Sequence, residues 1–284
     1  LTSLDAFRGL TMAFLVSGAF GLAHLTRIPS LAFIGRQFTH HAWNGLYFWD
    51  LIQPFFMFIV GVAMPFSFAS RWERGEIWNR SFLHVLRRCA TLFLLGVLLH
   101  CWYNRAIVWE LWNVLTQLSV TYMVAFLFMR KSLRTQLLVS IGILAANYLA
   151  YRFLPVPGVT DPWQKDANLG AYMDRILMGR INAGGGWVAI NVIGSSAHTM
   201  WGVMAGTVLR SNDSDRTKLR TLFIAGAAFL ALGYALDPIT PIVKRICTSS
   251  FIFASGGWAL LFLGAFYWLV DVRGVKGWTK PAVI

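Results

Sequence analysis

Charge is scarce in this chain, and acidic charge is scarcest. Only 13% of its 284 residues are charged, and 12 of those are acidic against 25 basic. A soluble domain usually carries about 25% charged residues, so a surface facing water on every side is excluded. Cysteine is thin as well. Cys89, Cys101 and Cys247 are the full set, at no spacing that would hold a metal, and Cys89 and Cys101, within or at the end of an apolar run, read as small packing residues. There is no Walker loop and no Gly-x-Ser-x-Gly. The phosphate cradle of a P-loop enzyme and the nucleophile elbow of an α/β-hydrolase are therefore excluded. No internal repeat or low-complexity tract is visible.

What is present instead is apolar length. Hydrophobic residues make up 57% of the chain, and they gather in runs long enough to cross a bilayer, which takes about 20 mostly apolar residues. Eight stretches qualify: 4–25, 46–69, 82–102, 111–129, 134–153, 187–209, 218–236 and 250–270. The expected fold class is all-α, a polytopic transmembrane helix bundle of about eight spans. Thirteen tryptophans and eight tyrosines suit interfacial belts.

The formal charge of +13 lies mostly between these runs. It reads as anchoring to anionic lipid rather than nucleic-acid binding. Arg71, Arg74 and Arg80 follow the second stretch, and Arg130, Lys131 and Arg134 follow the fourth. Arg210, Arg216, Lys218 and Arg220 surround the sixth connection, and the tail holds Arg273, Lys276 and Lys280. The intervening connections are poorer in basic residues. The bias predicts a cytoplasmic N-terminus and places His40 and His41 on the outer face.

Polar groups collect at the mouth of the second stretch. Thr39-His40-His41-Ala42-Trp43-Asn44-Gly45 turns into it, and Asp50 follows one turn inside. An ionisable group at such a place is a functional candidate. Two histidines followed by a carboxylate, with Trp43, Tyr47, Phe48 and Trp49 around them, point to proton transfer. Asp50 is either an unpaired carboxylate near water or the group that orients a histidine. Metal ligation is not expected, because no further ligand stands at metal spacing.

Other polar residues carry two readings each. His84, Arg87 and Arg88, in the third stretch, either anchor its cytoplasmic end or clamp phosphate with their guanidinium groups. Asp5 and Arg8 share a helix face, as an ion pair at a helix start or as part of a site. Asn113, Thr116 and Gln117 are interhelical glue or substrate contacts. His198 lies among Asn191, Gly194, Ser195 and Ser196, and it should face the bundle interior. The long connection at 154–186, ending in Gly184-Gly185-Gly186, is a lid or a connector.

Two segments are distinctive: SLDAFRGLTM at Ser3–Met12 and HHAWNGLYFWDLIQPFFMFIVG at His40–Gly61. Together with LRRCATLFLLGVLL at 86–99 and TSSFIFASGGWALLFLGAFYWLVDVRG at 248–274, they resemble the heparan-α-glucosaminide N-acetyltransferase family and its bacterial relatives, within a wider group of transmembrane acyltransferases. The resemblance covers most of the chain. It implies one acyltransferase-like domain over residues 1–284, truncated at its C-terminus, since the family continues with further helices. Ala19 stands where the family often has an asparagine.

The resemblance also implies an activity: transfer of an acetyl group from cytosolic acetyl-CoA to an amino sugar on the far side of the membrane. The family's essential histidine, three residues before the Trp of Trp-Asn-Gly, falls on His40, and its carboxylate falls on Asp50. His40 would be the general base or a transient acyl carrier, and Asp50 would orient it. Arg87, Arg88 and Arg8 would hold acetyl-CoA. His41, Asn44, Gln117 and His198 would meet the acceptor. A CoA with its phosphates at Arg87 and Arg88 would send its pantetheine arm towards His40, which calls for one cavity joining the two ends. The partners expected are membrane lipid, a small-molecule acceptor (an amino sugar or glycan) and a second copy in a homodimer, with no nucleic acid. The location expected is the bacterial cytoplasmic (inner) membrane. The alternative from a different class is a transporter of an amino sugar or similar solute, with His198 and the polar residues of 187–209 lining its path.

Overall fold

Helices supply all the regular structure among the described residues. The computed structural model describes residues 1–279, so Lys280 lies outside the described residues. Ten α-helices follow one another among these residues: α1 Thr2–Val16, α2 Ala32–Gln37, α3 Ile52–Glu73, α4 Trp78–Asn104, α5 Val114–Phe128, α6 Leu133–Phe153, α7 Leu169–Met178, α8 Asn191–Arg210, α9 Asp215–Ala235 and α10 Ser249–Phe266. Short 3₁₀ segments join α1 to α2 and lead into α3, and α10 runs on as a π-helical turn over Tyr267–Val272. The protein is an all-α, polytopic membrane helix bundle.

The expected eight spans are corrected to five or six among the described residues. Five helical segments are long and apolar enough to cross a membrane: Phe48–Glu73, Trp78–Asn104, Leu133–Phe153, Asp215–Ala235 and Ser249–Val272. The stretch at 4–25 is broken. Its two helical pieces meet at 52°, because Gly18, Ala19, Phe20 and Gly21 all adopt positive φ and no right-handed helix passes through such residues. The stretch at 111–129 starts late. Asn113 caps α5 by accepting from Leu115 and Thr116 N–H. The resulting 15-residue helix is about 22 Å long, short of a hydrocarbon core of about 30 Å.

The stretch at 187–209 is a helix of adequate length, but too polar to count by composition. Its polarity has a structural reason: α8 is the central helix, packed by α3, α5 and α6 and touched by α10. Ser195, Ser196, His198 and Thr199 are all buried in it. A helix surrounded by protein need not be apolar. Its closest neighbour is α3. A Cβ added at Gly61 would strike the Thr199 carbonyl, and one at Gly202 would strike the Phe58 carbonyl, so the two backbones touch. In lipid, where tails are as apolar as leucine, such close packing holds helices together. Phe55, Phe58 and Val62 of α3 join Ala197, Trp201 and Ala205 of α8 in the same core.

The loops at the N-terminal end of α3 interlock. Gly45 N–H donates to the Ile242 carbonyl at 2.8 Å. Trp43 Nε1 donates to the Trp163 carbonyl at 2.8 Å. Arg245 donates to the Ala42 carbonyl. The segments before α3, between α6 and α7, and between α9 and α10 therefore meet above the bundle, and the candidate site lies among them.

Candidate functional site

Asp50 sits in the 3₁₀ turn Phe48–Leu51 that opens α3. Its Oδ2 accepts from the backbone N–H groups of His41 and Tyr47, both at 3.1 Å, while its own N–H donates to the Tyr47 carbonyl. The chain thus wraps round the carboxylate, which is 2% exposed. Oδ1 faces the ring of His40, with Nδ1 at 2.8 Å. An ionised carboxylate can only accept, so Nδ1 carries the proton and Nε2 holds the lone pair. The His40 side chain is 43% exposed, and Nε2 makes no hydrogen bond among the described residues. A buried acceptor behind the ring and an unengaged nitrogen in front of it is the arrangement of an oriented base.

A third ionisable group completes this cluster, and sequence reasoning missed it. Lys244 Nζ lies 3.5 Å from Asp50 Oδ1 and 3.4 Å from His40 Nδ1. Lys244 is 7% exposed, and its ammonium lies over the Trp187 ring, 5.4 Å from the centroid. Burial pushes its pKa down to about 8, although Asp50 pulls the other way. In the sequence Lys244 reads only as loop charge. It stands 204 positions from His40, and no motif or period links the two. Trp49 and Trp187 flank the His40 ring at centroid distances of 6.4 and 6.1 Å.

The other expected site residues are placed variously. His41 packs its ring against Tyr47 at 4.7 Å, with its Nδ1 buried and unpaired. Asn44 is exposed on the turn. Gln117 belongs to a chain of amides. Gln53 donates to it, it donates to Asn191 at 2.8 Å, and Asn191 donates to the Arg245 carbonyl at 3.2 Å. That chain leads directly to the Lys244 loop. His198 is not part of this group. It is enclosed between Trp201 and Phe251, with Nε2 2.8 Å from Ser255 Oγ on α10.

The arginines lie apart from the histidines. The α3–α4 hairpin turns at Arg74–Gly75, so the start of α4 is at the end of α3 remote from His40. Arg87, more than two turns further along α4, is exposed. Arg88 lies over the Tyr122 ring at 4.6 Å and reaches its hydroxyl at 3.4 Å. Arg8 pairs with Asp5 at 3.0 Å. It sits on α1, which packs on α3 and α10, whereas α4 packs on α5. The three arginines therefore do not form one cluster. A cleft of about 500 Å³ lies between α4 and α5, lined by Cys89, Phe93, Val120 and Met123 among others. A second, of about 190 Å³, shares Phe93 and Val120 and reaches Gln117 and Ile190. Neither is lined by His40, Arg87 or Arg88, so the single cavity expected between the two ends is not formed by these clefts.

Sequence reasoning also missed a second His–carboxylate pair. His100 Nδ1 is 2.6 Å from Glu110 Oε2, and Arg180 holds Oε1 at 2.9 Å. Among the described residues no group of three or more His, Cys, Asp or Glu is arranged to hold a metal.

Two curated proteins and one family model are similar to this chain. The mouse heparan-alpha-glucosaminide N-acetyltransferase is 25% identical over 98% of this chain and 50% of its own length. The human protein of the same name is 24% identical over the same shares. The chain thus spans about half the length of these curated relatives. The family model for the heparan-alpha-glucosaminide N-acetyltransferase catalytic region matches residues 1–163, which include His40, Asp50, Arg87 and Arg88 and exceed half the chain. On that match, the chain belongs to the heparan-alpha-glucosaminide N-acetyltransferase catalytic family.

Proposed function

We propose that this protein is an integral membrane acetyltransferase that moves an acetyl group from acetyl-CoA to the amine of an amino sugar or related acceptor on the extracytoplasmic side. The N-terminus would be cytoplasmic and the membrane the bacterial inner membrane. The observation that carries this reading is the 2.8 Å contact from the buried Asp50 carboxylate to Nδ1 of a half-exposed His40. It leaves Nε2 basic and accessible.

In the reaction, the acceptor nitrogen attacks the thioester carbonyl. The N–C bond forms, the C–S bond breaks, and the amine proton passes to His40 Nε2. From there it goes to the departing CoA sulfur. Asp50 holds the ring in the required tautomer throughout. Trp49 and Trp187, flanking the ring, offer apolar faces to a sugar, with His41 and Asn44 at the rim. Arg87 and Arg88 would take the CoA phosphates at the opposite end. The two clefts along α4 and α5 would offer the pantetheine arm apolar surface, the smaller one reaching Gln117, whose amide chain ends at the Lys244 loop. The whole is one acyltransferase unit over residues 1–284.

Purified protein, radiolabelled acetyl-CoA and glucosamine test this reading. Acetylated sugar should form, and His40→Ala should lower its rate by about 10²–10⁴-fold, the usual worth of a general base. A folded His40→Ala protein with the wild-type rate overturns the assignment. Sugar accumulation in vesicles without any acetylated product would support a transporter instead.

A further inference from the structure

The α9–α10 loop, residues 236–248, is held more firmly than a connector needs to be. Thr248 Oγ1 accepts from Val243 N–H at 3.0 Å and donates to the Pro241 carbonyl at 2.7 Å. Asp237 Oδ1 accepts from Ile242 N–H at 2.8 Å. Cys247 Sγ reaches both the Lys244 carbonyl and Ser195 Oγ at 3.2 Å. Arg245 is drawn away to the Ala42 carbonyl and over the Trp43 ring. All these contacts fix the backbone on both sides of Lys244, and its ammonium ends beside the Asp50–His40 pair.

We propose that Lys244 is a positioning residue that supplies the positive charge buried Asp50 requires, and so leaves His40 neutral and able to accept a proton. The inference rests on the reading of His40 as the base. A carboxylate 2% exposed is costly to keep charged unless a cation compensates it. Two groups within reach can be that cation, His40 at 2.8 Å and Lys244 at 3.5 Å. If the ring carries the charge, Nε2 is protonated and cannot act as a base. If the lysine carries it, the carboxylate is balanced and the ring keeps only its Nδ1 proton.

The surrounding charges favour the lysine. The groups facing it are Asp50, His40, Arg245 and Cys247. Arg245 is directed elsewhere. The Cys247 thiol is pushed up to about 11 by burial, so it stays neutral and adds no charge. Trp187 gives the ammonium an aromatic face, which favours a cation over a neutral amine. With a pKa of about 8, Lys244 is mostly charged at neutral pH.

The test is the pH profile of acetyl transfer by the whole protein for wild type, Lys244→Met and Lys244→Arg. Lys244 and a protonated His40 would be like charges 3.4 Å apart, and a like charge so near disfavours the charged ring. In Lys244→Met the ring inherits the role of cation. The acid limb of the rate profile should therefore move to higher pH. Lys244→Arg should keep the wild-type acid limb, whatever its maximal rate. Nitrogen-15 spectra of the histidines provide a readout independent of activity. At pH 7 the Lys244→Met protein should show one imidazolium more than wild type.

A uniform loss of rate at all pH values, with unchanged spectra, would mean that Lys244 only supports the fold, and would overturn the proposal. Wild-type protein that transfers no acetyl group at any pH overturns the proposed function instead. In that case the spectra still decide which residue carries the charge.

Discussion

Replacing Asp50 by asparagine separates what the carboxylate does for catalysis from what it does for the fold. The side chain keeps its size but loses its charge and one acceptor. In the wild type Oδ2 takes two backbone N–H groups at 3.1 Å, and Oδ1 takes His40 Nδ1 with Lys244 nearby. All four neighbours are donors. Asparagine must turn an NH₂ towards one pair of them, so either the backbone wrap or the histidine loses its acceptor. An unsatisfied buried group costs about 1–3 kcal/mol. Breaking a buried ion pair by removing one partner can cost about 3–5 kcal/mol, but Lys244 has an escape. Its pKa is already about 8, and without Asp50 it can release its proton near neutrality. The stability loss should therefore fall in the lower range, about 1–3 kcal/mol, which is several degrees in the melting midpoint for a chain of this size. The rate should fall far more, by about 10²–10⁴-fold, because the ring loses its tautomer control. Melting in detergent and acetyl transfer, measured on one preparation, give both numbers. A variant that melts a few degrees lower but transfers acetyl within about twofold of wild type would refute the reasoning. Asp50 would then only cap the 3₁₀ turn that opens α3.

Two further outcomes follow from other groups. Arg88→Ala should weaken CoA binding by about tenfold or more, the worth of a charge-assisted phosphate contact. The deficit against wild type should shrink as salt rises, and equal affinity by calorimetry would leave Arg88 as a packing residue on Tyr122. Asp174 on α7 is 0% exposed, accepts from Ala189 N–H at 3.0 Å through Oδ1, and leaves Oδ2 unpaired. Burial raises its pKa from 3.8 to about 7. The folded state holds that proton more tightly than the unfolded chain, so stability should fall as pH rises from about 4 to about 7, by a few kcal/mol. Asp174→Asn should flatten the melting midpoint across that window, and an unchanged slope would place the dependence elsewhere.

Legibility in the sequence followed the range of the interactions. The helices α3, α4, α6, α9 and α10 were visible because a long apolar run is a local property. The His40–Asp50 pair was visible because its members are ten residues apart and stand beside a motif. The break after α1 was not, since Gly18 and Gly21 equally suit close helix packing inside a span, and nothing in Ala19 and Phe20 between them announces their positive φ. The status of α8 was ambiguous for a different reason. Its serines, asparagine and histidine suit either a solute path or a protein-enclosed core. Only its neighbours show that His198 is packed between Trp201 and Phe251. Lys244 could not be found by any local rule, because its meaning comes from a partner on another loop.

These long-range placements depend on one another. The amides of Gln53, Gln117 and Asn191 come from α3, α5 and α8, and each satisfies the next before the last donates to the Arg245 carbonyl. Gln117 and Asn191 are buried, so a shift of α5 or α8 would leave a buried donor unpaired at about 1–3 kcal/mol. The chain therefore ties the register of three helices to the loop that carries Lys244. Two of the polar residues of α8, Asn191 and Ser195, contact the loop that carries the ammonium beside Asp50. The same central helix, pressed against α3 at Gly61 and Gly202, fixes the turn from which Asp50 reaches His40. Both sides of the charge cluster are thus set by the packing of α8, although α8 contributes no side chain to it.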